Sequence, residues 1–318
     1  MEQSFLAYLR GRTRSLPQVA IGIGDDAAVI DRVDGEGVQQ IACADQIIDG
    51  VDFRSSEHAG CDIGFKAMAI NLSDVAAMGG TPTAAIVTLA LPIENATEIA
   101  GDVYEGILEA AGAFDIAIAG GDLTTYDGPL AISVTLLGKV RGPWLRSAAQ
   151  VGDAVLVSGA LGGSILGRHL RPEPRLELAR QLRQHVDVHA AIDVSDGFSL
   201  DLDRLCAASG VGVEIESDRL PISDDAHELA RSSGRSAYQH AWSDGEDFEL
   251  IVTMSAADAD RMNDTPLAAP LTRIGTVVSR TGLWKRTADS KFQRVFPQGY
   301  VHGTLPPETI DAVTGATS

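Results

Sequence analysis

Three observations predict an α+β fold made of two α/β-mixed domains. Short apolar segments of strand character alternate with longer segments of helical spacing over the 318 residues. The same grammar restarts after Arg141-Gly142-Pro143, where Gly and Pro punctuate the chain. A chain of this length also accommodates two cores of ordinary size. The expected division is an N-terminal domain over 1–142, with a mixed sheet and two long helices, and a C-terminal α+β domain over 143–318. Two lobes of comparable size leave a cleft that would suit a ligand.

The elements follow in order. Gln39 to Ala44 reads as a short strand, and Ala84 to Leu91 (AAIVTLAL) as a buried one. Between them, Cys61 to Met78 has helical spacing and stops at Gly79-Gly80, ahead of Pro82. Ala96 to Ala113 is the second helix, with Ile99, Val103, Ile107, Leu108 and Ala111 on one face. Asp115 to Ala119 is a strand running into Gly120-Gly121, and Pro129 to Val140 is another strand. Beyond the boundary, Ala154 to Ser158 is a strand, and Ala160 to His169 and Arg175 to Val186 are helices. Ala190 to Asp193 is a strand entering Ser195-Asp196-Gly197. The helix Phe198 to Ala208 leads to a strand at Val211 to Ile215, and Phe248 to Thr253 and Leu271 to Val278 complete the strands.

Composition excludes several classes. Hydrophobic residues make up 45% of the chain, which rules out a disordered or fibrous one. Its net charge of −19, from 44 Asp plus Glu against 25 Lys plus Arg, opposes nucleic acid and anionic membrane as partners. It would repel a nucleotide as well, unless metal ions neutralise the local field. Most of the acidic excess reads as solvated surface. Three widely spaced cysteines (Cys43, Cys61, Cys206) form neither a disulfide framework nor a zinc site. Met1 to Arg14 has no uninterrupted apolar run, and no stretch is long and apolar enough to span a bilayer. A soluble, cytoplasmic protein is expected.

Chemistry is suggested by acidic residues in small-residue contexts. Gly24-Asp25-Asp26-Ala27 places two carboxylates after a tight turn, where like charges repel unless a cation intervenes. Alone, this is as readily a solvent-facing turn. Asp45, Asp49 and Asp52 add carboxylates on one short loop after the first strand. Asn71 and Asp74 interrupt an apolar helix at i, i+3 spacing and would project in one direction. Gly120-Gly121-Asp122 allows backbone N–H groups near phosphate oxygens, with a plain turn as the competing reading. Asp193 and Asp196 bracket Ser195 at a strand-to-helix junction, where helix N–H groups and carboxylates converge. An N-cap role there is compatible with ligand binding.

Walker A, kinase-loop and dinucleotide fingerprints are absent, as are histidine spacings for zinc. Gly159 to Ser164 is glycine-rich, which a tight strand–helix turn explains equally well. Oxygen ligands without thiolate or imidazole suit Mg²⁺, and phosphoryl transfer asks the protein mainly for position and charge neutralisation. Arg146 is the basic residue expected near a phosphate, with Lys66 the runner-up.

In this order, GIGDDAAVI (22–30), KAMAINLSDVAAMGGTP (66–82), GGD (120–122), IDVSDGFSLDL (192–202) and SDGEDFEL (243–250) resemble the thiamine-monophosphate kinase family. Its superfamily includes aminoimidazole ribonucleotide synthetase. The resemblance implies ATP-dependent, Mg²⁺-assisted phosphorylation of thiamine monophosphate to thiamine diphosphate by direct transfer. It also implies an ATP cleft between the lobes and a homodimer formed through the N-terminal domains. By the same resemblance Asp26, Asp45, Asp74, Asp193 and Asp196 are Mg²⁺ ligands, all but Asp45 being expected to be catalytic. Asp122 joins the metal set, as do Cys43 and Ala44, the latter through its backbone carbonyl. Tyr104, Gly121, Asp122, Arg146 and Ser195 are nucleotide contacts. Asp52, Glu246 and Tyr300 fall at acceptor positions, with Tyr300 stacking on the thiamine.

Three departures mark this chain. Cys43-Ala44-Asp45 replaces the family's Ser/Thr-Thr-Asp, so a hydroxyl ligand is lost at Ala44. Gly50-Val51-Asp52-Phe53 carries Asp52 where the family has a substrate-contacting His, and Phe248 stands where Tyr is common. Two alternatives stay open at this point. One is a related ATP-dependent synthetase or maturation enzyme with another substrate; the other is a catalytically silent nucleotide- or thiamine-phosphate-binding homologue.

Overall fold

The computed structural model describes residues 7–9, 11–12, 17–30, 37–286 and 291–301. Most of Met1 to Arg14, read above for a targeting signal, lies outside the described residues, as does 302–318 of the expected C-terminal range. The described chain forms two sheets. The first holds β1 (Val19–Ile21), β2 (Ala28–Ile30), β3 (Gln39–Ile48), β4 (Thr81–Pro92), β5 (Ala117–Tyr126) and β6 (Ala131–Val140), in the order β1-β2-β3-β6-β4-β5. It is mixed: β4 and β5 run parallel, and the other pairs are antiparallel.

Several expected boundaries move because pairing continues past the apolar run. Ten residues of β3 pair with Ala131–Val140, so Asp45 stands inside the strand and not on a loop after it. β4 is buried on one face only, since its alternate residues, Ile86 among them, turn outward. Gly120-Gly121-Asp122 is not a turn but the middle of edge strand β5. The register slips there by one residue, two positions of β4 facing three of β5, which is a bulge. A Cβ on Gly121 would lie 1.7 Å from the Val87 carbonyl oxygen, so the strand closes only with glycine.

Two 18-residue helices complete this half, α1 (Gly60–Ala77) and α2 (Ala96–Ala113). Their backbones touch at two glycines. A Cβ on Gly64 would meet the Val103 oxygen at 1.9 Å, and one on Gly106 the Cys61 oxygen at 1.7 Å. The buried face of α2 is Val103, Gly106, Ile107, Ala110 and Ala111, while Leu108 is exposed. Leu108 lies one position round from Ile107, a rotation of about 100° that carries it off the stripe. α1 is buried nearly all round because it lies between the lobes. Met68 and Leu72 join the first core and Ala76 and Ala77 the second. Each such fully buried large side chain contributes about 1.5–3 kcal/mol.

The second sheet has the order β13-β12-β9-β11-β7-β10-β8. Its strands are β7 (Ala154–Ser158), β8 (Val188–Asp193), β9 (Gly212–Ile215), β10 (Leu250–Met254), β11 (Leu271–Val278), β12 (Gly282–Arg286) and β13 (Phe292–Val295). The principal helices are α3 (Leu176–His185) and α4 (Phe198–Ser209). The expected helix over Ala160 to His169 is absent. Gly162, Gly163 and Gly167 take φ of 87°, 73° and 136°, which leaves only two 3₁₀ turns, Ser164–Leu166 and Arg168–Leu170. The short helices α5 (Asp224–Leu229), α6 (Ala237–Ser243) and α7 (Ala256–Met262) lie outside the sequence expectation. Each begins at a serine whose side chain caps it, a signal that was available in the sequence.

Candidate active site

A cleft of about 1300 Å³ opens between the two sheets, and α1 supplies its floor. Asp74 projects from α1, Asp193 from the end of β8 and Asp26 from the turn before β2. Carboxylate oxygens of these three lie within 4.8 Å of one another. Ser73 Oγ, buried beside Asp74 in the sequence, donates to Asp193 Oδ2 at 2.7 Å and ties α1 to β8. Burial, then Asp45, Asp193 and Asp26, push the Asp74 carboxyl well above its usual range. Burial and Asp26 do the same to Asp193. Asp45 is raised too, mainly by burial, against a hydrogen bond shared with Asp74.

One guanidinium answers this charge. Arg146 grips Asp26 with Nε at 3.2 Å and a terminal nitrogen at 2.7 Å, while its backbone N–H donates to Asp25 at 2.7 Å. Burial works against its charge, yet Asp26, Asp193 and Asp25 hold its pKa above the ordinary value. Three clustered carboxylates facing one arginine leave an excess of negative charge in a partly dry site. Oxygen donors in that state fit a hard divalent cation such as Mg²⁺.

The cleft also explains what each neighbour does. Asn71 and Asp74 both turn toward Asp45 on β3. Asn71 is fully buried, accepting at Oδ1 from the Asp45 backbone N–H at 3.2 Å and donating to the Ala67 oxygen, so it joins α1 to β3. Cys43 is buried and its thiol points to Asn71. Ala44 alternates to the outer face of the sheet, and its side chain offers no ligand atom.

Asp196 pairs with Arg204 at 2.6 Å, and Arg204 also reaches Asp201 at 2.7 Å. Asp201 organises the turn: its Oδ2 accepts from the backbone N–H groups of Ser195, Asp196 and Gly197 at 3.0–3.1 Å. Burial raises Asp201 to a pKa of about 7 despite Arg204. Arg204 and Asp201 are missing from the sequence expectation. Asp201 lies within IDVSDGFSLDL, in the first turn of α4, where a carboxylate is favoured beside free N–H groups. Arg204 follows Asp201 at i, i+3 on α4, a spacing the sequence offered, whereas its pairing with Asp196 is made only by the fold.

Asp52, Glu246 and Tyr300, expected at acceptor positions, also line the cleft. The Asp52 carboxylate caps its own loop, accepting from the Ile48 N–H at 2.8 Å. Glu246 faces Lys66 at 2.5 Å, and Tyr300, 49% exposed, donates its backbone N–H to the Asp196 oxygen at 2.8 Å. The other acids of SDGEDFEL are structural. Asp244 pairs with His240 and Arg235, and Asp247 accepts from Gly162 N–H and Arg168. Glu249 is gripped by Arg175 and Ser158.

Tyr104, Gly121 and Asp122 stand elsewhere in the chain. They line a separate, shallower hollow at β5, the far edge of the first sheet, whereas Asp45 sits on β3. Every other expected site residue lines the central cleft.

Comparison with known proteins agrees with this architecture. Residues 24–140 match the model of the AIR synthase related protein N-terminal domain, and residues 147–284 that of its C-terminal domain. A thiamine-monophosphate kinase of Rhodopirellula baltica is 68% identical over 308 residues, covering 95% of this chain and 98% of the relative. One from Bacillus subtilis is 34% identical, covering 85% and 89%. Among solved structures, AaThiL complexed with AMPPCP and TMP superposes with a TM-score of 0.82 at 27% identity, covering 95% of this chain and 96% of that one. On fold, motif order and overall identity, the chain belongs to the thiamine-monophosphate kinase family.

Proposed function

We propose that this protein transfers the γ-phosphoryl group of ATP to the phosphate of thiamine monophosphate, producing thiamine diphosphate and ADP by direct in-line displacement. The observation that carries the reading is the cluster of Asp26, Asp74 and Asp193 facing Arg146 in the interlobe cleft. Full-length similarity to thiamine-monophosphate kinases supports it, as does the likeness to a complex holding AMPPCP and TMP. Asp26, Asp45, Asp74, Asp193 and Asp196 would hold Mg²⁺, which when bound would neutralise polyphosphate charge. Arg146 would then exchange Asp26 for a phosphate oxygen, Ser195 would contact the nucleotide, and Glu246 and Tyr300 would receive the acceptor. With the Asp52 carboxylate engaged at the Ile48 N–H, its repulsion of an acceptor phosphate is reduced, which favours an active enzyme over a silent homologue.

A homodimer is part of the proposal. Tyr104, Gly121 and Asp122 lie apart from the acidic cleft within one chain, so joint action on one nucleotide would require a second copy. The outer face of the first sheet suits such packing. Ile86, Thr88 and Asp122 share it by register, and Ile86 is 41% exposed. The division at 142/143, with dimerisation assigned to the N-terminal half, belongs to the same reading. Among the described residues no helix is long and apolar enough to cross a membrane. A reducing cytoplasmic setting is proposed on the three free cysteines.

The direct test is turnover. Purified protein with Mg²⁺, ATP and thiamine monophosphate should form thiamine diphosphate, whereas a panel of other phosphorylated acceptors should not be used. Binding of both ligands without product would favour the silent homologue.

A further inference from the structure

Among the described residues Lys66 is the most buried cation, and the proposed chemistry leaves it without a role. Its side chain is 1% exposed, and a buried ammonium is strongly unfavourable unless its donors are met. Here Nζ donates to the Asp52 backbone oxygen at 2.6 Å and to Glu246 Oε1 at 2.5 Å. The contact joins α1 of one lobe to a loop of the other, 180 residues away in sequence. It also ties that loop to the Val51–Asp52 turn, which lines the same cleft.

The Glu246 loop is held in an uncommon conformation. Glu246 and Phe248 take φ of 60° and 51°, both in the left-handed region that side chains disfavour. Backbone bonds from Glu246 N–H to the Ser195 oxygen (2.7 Å) and from Phe248 N–H to the Val194 oxygen (2.8 Å) impose it. Such backbone persists only where its surroundings over-determine it. Asp244 and Asp247 flank Glu246 and are engaged by arginines, so Glu246 is the acid of this loop that reaches Lys66. Its side chain is 33% exposed, so it remains accessible from the cleft.

We infer that Lys66 is a positioning residue for the acceptor subsite: it holds the Glu246 carboxylate against the Asp52 turn and partly neutralises it. The inference rests on the proposed function and deepens it. Without Lys66, Glu246 would carry an uncompensated charge and be free to rotate into the space an anionic acceptor phosphate must enter. Lys66 is thereby assigned to Glu246, not to a nucleotide phosphate, and its loss should act on the acceptor and spare ATP.

Steady-state kinetics on the full chain test this, using wild type, Lys66→Met, Lys66→Arg, Glu246→Gln and the Lys66→Met/Glu246→Gln double variant. Lys66→Met should raise KM for thiamine monophosphate about tenfold or more, with KM for ATP within about twofold. Lys66→Arg should show an intermediate rise, because the longer planar fork keeps the charge but not both contacts. The double variant should be no worse than Glu246→Gln alone, since the two residues act as one unit. An unchanged acceptor KM overturns the inference, as do equal rises in both KM values or effects that multiply in the double variant. Should Lys66→Met fail to fold, Lys66→Arg against wild type carries the same comparison. The double variant against Glu246→Gln provides a second one, because the double variant removes both charges of the pair together. A wild type inactive on thiamine monophosphate overturns the proposed function and this inference together; an active wild type with an unaffected variant overturns the inference alone.

Discussion

Replacing Arg183 by Ala should destabilise the protein by about 3–5 kcal/mol, and the structure shows where that figure comes from. The Arg183 guanidinium, on α3, donates to four backbone oxygens. Two belong to the linker between the lobes, Arg141 and Gly142, each at 2.8 Å. The others end α1: Met78 at 3.1 Å, and Gly79. The guanidinium also lies 4.7 Å over the Trp144 ring. Its site is the negative end of the α1 dipole. The linker oxygens are solvent-accessible and recover water when the side chain is lost, contributing almost nothing. The two half-buried oxygens lose charge-assisted bonds of about 1.5–3 kcal/mol each, less what Met78 keeps from the Trp144 N–H. The cation–π contact adds about 1 kcal/mol.

Arg183→Lys should recover part of this, because an ammonium cannot span four carbonyls. Urea denaturation of wild type and both variants reads the effect as a midpoint shift at constant slope. A loss below about 1 kcal/mol in Arg183→Ala would refute the reasoning, since it would mean the α1 terminus needs no partner.

Three further outcomes are expected. Asp193→Asn should abolish Mg²⁺-dependent turnover and the rise in melting temperature that Mg²⁺ is expected to give the wild type. It should also raise the metal-free melting temperature, because a buried carboxylate is removed from beside Asp26; a lower one would contradict the repulsion argument. Asp247, raised by burial from 3.8 to a pKa of about 7, should lower stability as pH rises. Its unfolded form releases its proton near pH 4 and its folded form near pH 7, so stability falls through that window by up to about 1.4 kcal/mol per pH unit. Asp247→Asn should flatten this part of the urea-midpoint profile, and an unchanged slope would count against the assignment. Ile86→Lys, on the exposed outer face of the first sheet, should convert a particle of about twice 33.4 kDa into a monomer in light scattering, and with it lower turnover. A monomeric wild type with full activity would exclude the proposed dimer.

Much of the architecture was legible in the sequence. α1, α2, α3 and α4 appear within about two residues of their expected ends, because their 3.6-residue periodicity is long and interrupted by clear stops. Strand ends were less legible: β3, β4 and β5 run on through polar or glycine residues because a neighbouring ladder extends them, not because of their own composition. The Ala160 to His169 segment misled, since its apolar pattern is overridden by three glycines in left-handed or extended-positive conformations.

The site divides along the same line. The sequence by itself determined which residue types are present and their ordered motifs, and hence that carboxylates in small-residue contexts adjoin apolar strands and helices. Only the tertiary structure decided their use. Of the acids in SDGEDFEL, Asp247 and Glu249 are taken by Arg168 and Arg175, while Glu246 meets Lys66 across the cleft. Asp26, Asp74 and Asp193 converge, whereas Asp122 stands on a distant edge. The reason is physical: a carboxylate's role is set by which cations and donors come within about 3–4 Å of it, and partners 74 to 180 residues away are brought there by packing, not by spacing along the chain.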